Sequence, residues 1–127
     1  MKLAEIAKLL NANSFTSLNL NDIETESACG SDLLSDVLAF TKEKTLLLTG
    51  LVHPQVLRTV EMVDLVGVVF VRGKEPTQEM VDIAEEKRIP LMSTLYPMYE
   101  ACGILYRAGL EGNSQLKVPR KLDRGAN

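Results

Sequence analysis

Residues 45–94 decide the fold. Three short apolar runs stand in them: Thr45-Leu46-Leu47-Leu48-Thr49, Gly67-Val68-Val69-Phe70-Val71 and Pro90-Leu91-Met92-Ser93. None alternates between apolar and polar, which is the pattern of a strand covered on both faces. Between the runs lie two segments with helical spacing. Val56, Leu57, Val60 and Val63 fall on one face of the first, which His53-Pro54 opens. Met80, Val81 and Ala84 fall on one face of the second, which Pro76-Thr77 opens. Glu79, Asp82, Glu85, Glu86, Lys87 and Arg88 form its solvated side, acids early and bases late, as the helix dipole favours. Each apolar run ends in a small polar elbow: Thr49-Gly50, Arg72-Gly73-Lys74, Ser93-Thr94. This is a βαβαβ unit of parallel strands whose carboxyl ends share one edge.

Outward from that core, Leu3, Ile6, Ala7 and Leu10 predict an amphipathic helix over residues 2–10, ended by Asn11 and Asn13. Residues 14–20 and 23–29 alternate weakly and read as two edge strands around an Asn21-Asp22 turn. Ser31 reads as the N-cap of a helix with Leu33, Leu34, Val37 and Leu38 on one face. Asp32 and Asp36 then sit in its early turns, one turn apart; they could be read as a metal or acid-base pair, but two acids without a third ligand make a poor metal site, and capping and dipole complementation explain them. Pro97 opens a last helix bearing Met98, Ala101, Cys102 and Leu105, with Gly109 as its C′ residue. The expected fold is a single three-layer α/β domain over residues 1–110. A polar, flexible tail over 111–127 carries Lys117, Arg120, Lys121 and Arg124.

The 127 residues suit one domain, large enough to bury its own core without disulfides or a structural metal. A net charge of −3 gives no reason to expect nucleic acid as a partner. Cys29 and Cys102 stand far apart and there is one histidine, so no zinc spacing exists. Such cysteine usage suits a reducing compartment. The start, Met1-Lys2-Leu3-Ala4-Glu5, is not a signal-peptide pattern, and no apolar stretch is long enough to span a bilayer. The expected location is the cytoplasm.

Several segments together resemble free-standing DRTGG-domain proteins. They are Ser31-Asp32-Leu33-Leu34-Ser35-Asp36-Val37, Leu47-Leu48-Thr49-Gly50, Val69-Phe70-Val71-Arg72-Gly73-Lys74-Glu75-Pro76, Ile89-Pro90-Leu91 and Tyr99-Glu100 leading to Leu105-Tyr106. The resemblance spans roughly residues 2–110. It implies a compact α/β module, related in shape to the N-terminal domain of HPr kinase/phosphorylase. Such modules stand alone or beside the catalytic part of larger enzymes, where they regulate and dimerise. The chain departs from the family's namesake motif: Arg72-Gly73 is the nearest remnant of Asp-Arg-Thr-Gly-Gly. It also lacks G-x-x-x-x-G-K-[ST], so no loop is built to cradle a triphosphate. The resemblance carries over no catalytic residues.

The candidate ligand site is the strand-end rim: Thr49, Gly50, His53, Arg72, Gly73, Lys74, Ser93 and Thr94. Arg72 and Lys74 supply positive charge, and two helices begin nearby with N–H groups to offer. A small anionic or nucleotide-like metabolite fits that chemistry. The plain alternative is a set of tight turns with solvated charges. His53 is the sole candidate base. It has no nucleophile or orienting carboxylate beside it in sequence, and its place before Pro54 is that of a capping residue. Cys102 reads as core, Cys29 as the more exposed thiol with a redox role to test. Tyr99 and Tyr106, seven apart, share a helical stripe fit for stacking or packing.

Two classes of function remain. One is a non-catalytic regulatory, ligand-sensing module that forms a homodimer and partners a larger metabolic enzyme. The other is a small phosphate- or carboxylate-handling enzyme using His53 at the same crevice. The first is preferred because no catalytic motif is present. No cofactor, metal or membrane partner is expected.

Overall fold

The computed structural model describes residues 1–112. Among these residues six strands form one sheet in the order β1-β5-β4-β3-β2-β6. They are β1 (Asn13–Ser14), β2 (Ser27–Gly30), β3 (Thr45–Thr49), β4 (Gly67–Phe70), β5 (Leu91–Ser93) and β6 (Glu111–Gly112). Only β1 runs antiparallel to its neighbour. Five helices cover the sheet: α1 (Leu3–Leu9), α2 (Leu34–Phe40), α3 (Gln55–Val63), α4 (Gln78–Lys87) and α5 (Met98–Arg107).

The three apolar runs are β3, β4 and β5, side by side and parallel, as their lack of alternation requires. Every residue of β3 is buried. Leu47, Val68, Phe70 and Leu91 point into a core beneath α2, α3 and α4. Leu46, Leu48, Val69 and Met92 point into a second core beneath α1 and α5. The period-2 geometry of a strand thus serves two apolar faces at once.

From β2 to β5 the chain steps steadily one way, and all three crossover helices pack on one face, as crossovers of a single hand must. After β5 the chain turns back. α5 crosses the opposite face to reach β6 at the far edge. The topological switch point therefore lies between the carboxyl ends of β4 and β5.

Four readings need correction. The two weak edge strands do not pair around a turn: β1 joins β5 at one edge, whereas β2 lies parallel to β3 on the other side. A 3-10 turn at Leu20–Asp22 lies between them. Ser31 does not cap α2. The helix starts at Leu34, and the Ser31 hydroxyl takes the Leu33 N–H instead. Of the predicted apolar face of α2, Val37 is buried, but Leu33 and Leu38 are exposed. Glu111 and Gly112, read as the start of the tail, form β6 on β2; residues 113–127 lie outside the described ones. Gly109 has φ +106°, the left-handed conformation a C′ glycine supplies.

Candidate functional site

The carboxyl ends of the parallel strands lie in one row. Thr49 is in register with Phe70, and Phe70 with Ser93. The elbows that follow therefore meet at one edge. The structure places Thr49, Gly50, Arg72, Gly73, Lys74, Ser93 and Thr94 there.

At the switch point the crevice is closed at its base by the chain itself. The Gly73 N–H donates to Thr94 O and the Arg72 N–H to Tyr96 O, both at 2.9 Å. The Ser93 hydroxyl donates to Lys74 O at 2.6 Å. The Thr94 hydroxyl donates to Leu10 O at 2.7 Å, tying the rim to the end of α1. Ser93 and Thr94 are buried and spend their hydroxyls on these bonds. Val71–Lys74 is a tight turn: the Lys74 N–H bonds Val71 O, and φ is +57° at Arg72 and +71° at Gly73. A branched-free but non-glycine residue at positive φ costs roughly 1 kcal/mol. Arg72 bears that cost at the rim with its side chain exposed.

One residue that the sequence reading weighs as a metal ligand and sets aside belongs to the rim. Asp32 does not sit in the first turn of α2. Its carboxylate turns onto the end of β3 and accepts the Gly50 N–H at 2.6 Å and the Thr49 hydroxyl at 3.1 Å. A Cβ built on Gly50 would stand 3.5 Å from both Asp32 Oδ1 and Arg72 Nη2. An acid and a guanidinium thus flank Gly50. The signal was present: Asp32 follows β2 by two residues, so any parallel strand at that position delivers it to the rim.

The helix starts offer less than their sequence suggests. The Gln55 N–H bonds His53 Nδ1 at 3.0 Å, and the Val56 and Leu57 N–H groups bond His53 O and Pro54 O. At α4 the Thr77 hydroxyl accepts the Met80 N–H. These caps consume N–H groups that were counted toward an anion. His53 is exposed and serves as the cap of α3, with no carboxylate bonded to its ring among the described residues.

A cavity of about 480 Å³ lies elsewhere, beside α5 over β2 and β6. Gly30, Leu48, Tyr99, Cys102, Gly103 and Gly112 are among its lining residues. That volume is within the range of small-molecule sites. Both thiols are half-buried free cysteines. Burial pushes each above its ordinary value of 9.0; a hydrogen bond from Thr41 partly offsets this at Cys29, and the Cys29 charge adds to it at Cys102. A thiol so held stays protonated at neutral pH, which argues against the redox role considered for Cys29. At pH 7.5 a disulfide reagent should label the native chain at least ten-fold more slowly than the unfolded chain. Stability should also fall as pH rises past about 9, because the unfolded thiols ionise first. Rapid labelling of the native chain at neutral pH would contradict this.

No family model matches the chain, and no curated protein does. Among solved structures, it is similar to the CBS and DRTGG domains of the regulatory region of Clostridium perfringens pyrophosphatase, complexed with the activator diadenosine tetraphosphate. The TM-score is 0.71 over 91% of this chain, at 12% identity. This chain spans about half, 52%, of that one. The likeness is one of fold: a single α/β domain with a mostly parallel six-stranded sheet, DRTGG-like in shape.

Proposed function

We propose that this protein is a regulatory module that senses a nucleotide-like metabolite at the strand-end rim and associates with itself. The observation that carries the reading is the mixed charge of the rim. Asp32 already occupies the Gly50 N–H, so a bare phosphate centred there would meet a carboxylate. A ligand that offers hydroxyl or amino donors to Asp32 and an anionic group to Arg72 and Lys74 satisfies both. Nucleotides have that form. The solved structure of similar fold belongs to a regulatory region and holds a dinucleotide activator, which supports the class of ligand. A larger metabolic enzyme is the partner this reading implies.

The second reading, an enzyme based on His53, lacks a supporting observation. The ring is exposed and its Nδ1 is spent on a helix cap.

The test is thermal stabilisation by ATP, ADP, diadenosine tetraphosphate and inorganic phosphate. Binding at a hundred times Kd adds roughly 2.7 kcal/mol. Arg72→Gly combined with Lys74→Ala should abolish the shift while leaving the apo melting temperature unchanged or higher. Glycine relieves the positive φ at position 72, so the variant separates binding from folding. Absence of any shift in the parent, or an equal shift in the variant, would end the proposal.

A further inference from the structure

We infer that the outer face of α5 is the surface through which two copies of this chain pair, α5 against α5, antiparallel about a two-fold axis near Gly103. The inference rests on the self-association proposed above and assigns it a place.

Gly103 is the first observation. It stands inside α5, where glycine is about 1 kcal/mol worse than alanine. Its φ is not positive, so the backbone does not demand it. A Cβ built there would meet no atom of the described residues within 4 Å, so packing among them does not demand it either. By contrast, a Cβ on Gly30 would lie 2.8 Å from both Cys102 Sγ and Met98 Sδ. Among the described residues Gly103 is thus a notch on an open face, the feature that lets a second helix approach closely.

The flanks of the notch are self-complementary. Tyr99, 86% exposed, lies four residues before Gly103, and Tyr106 lies three after, also exposed. Glu100 lies three residues before Gly103 and Arg107 four after. Neither has an ion-pair partner among the described residues, and two helical turns separate them, too far to meet within one chain. When two copies of α5 pack antiparallel about Gly103, Glu100 of each copy comes opposite Arg107 of the other. The tyrosines come opposite one another beside them. A parallel pairing would set Glu100 against Tyr99 and Arg107 against Tyr106 of the other copy, leaving both charges without a partner. The charge order selects the antiparallel, isologous arrangement, the geometry of the commonest closed dimer. The adjoining cavity, which Tyr99 and Gly103 both line, gives an aromatic side chain of the second copy somewhere to go.

The experiment is sedimentation of the full chain at micromolar concentration, with circular dichroism on each variant. The parent should sediment at twice the 14.0 kDa of one chain. Gly103→Leu should sediment as a monomer and melt, as a monomer, no lower than expected for a helix relieved of glycine. Glu100→Arg and Arg107→Glu should each weaken pairing at least ten-fold. The double variant should restore it, and an equimolar mixture of the two single variants should form a heterodimer. A folded Gly103→Leu that still pairs, or charge variants without effect on a dimeric parent, would overturn the assignment to α5 while leaving self-association intact. A monomeric parent would end both.

Discussion

Phe70→Ala is expected to remove about 4 kcal/mol of unfolding free energy. Phe70 is fully buried at the end of β4, between β3 and β5, in the core beneath α3 and α4. Truncating such a side chain loses the transfer energy of the ring and leaves a cavity that a close-packed interior cannot fill; phenylalanine-to-alanine changes of this kind cost about 3–5 kcal/mol. The effect should reach the rim as well, because Phe70 O accepts the Thr94 N–H and the 71–74 turn begins at the next residue. Urea denaturation followed by far-UV dichroism measures it. A loss under about 1.5 kcal/mol would mean that the ring is not enclosed by the two helices.

The second large effect is expected from a smaller change. Gly67→Ala adds one methyl group at the start of β4, and an ideal Cβ there would lie 2.8 Å from the Pro90 carbonyl oxygen. That oxygen is backbone, and it accepts the Val68 N–H at 3.0 Å. Relief requires β4 and β5 to part, losing that hydrogen bond or straining the chain. Overpacking of this sort costs about 1–3 kcal/mol, and a weakened buried hydrogen bond adds about 1. We expect a loss of about 3 kcal/mol by the same denaturation measurement. Gly103→Ala is the control when measured on dissociated chains: there the same methyl group on a helix face should be neutral or stabilising by up to about 1 kcal/mol. Equal effects at the two positions would contradict the close contact of β4 with Pro90.

The central architecture was legible because its signal is local. Leu46-Leu47-Leu48 and Val68-Val69-Phe70 are continuous apolar runs, and the helices between them carry a 3.6-residue period; both follow from burial on two faces. The edges were not legible, for an equally physical reason. β1 and β6 are two residues each and exposed, so they carry no hydrophobic pattern. Their partners are about eighty residues away in sequence. β2, with Ser27 and Gly30 at its ends, looks like a weak hairpin strand. Its parallel pairing with β3 is what swings Asp32 to the rim. Missing that pairing meant reading Asp32 as a helix-dipole residue. Arg72, Gly73 and Lys74 could be placed from sequence because they follow a strand that could be read. The caps on α3 and α4 could not be counted against anion binding until His53 Nδ1 and Thr77 were seen to hold the first N–H groups.

The most direct measurement of the shared rim is an amide NMR titration of the full chain with ATP. Shift changes should concentrate at Gly50, at Arg72–Lys74 and at Thr94–Tyr96, three stretches distant in sequence that only parallel strand ends bring together. Changes centred instead on Tyr99 and Gly103 at the cavity beside α5, or none at millimolar ATP, would contradict the claim.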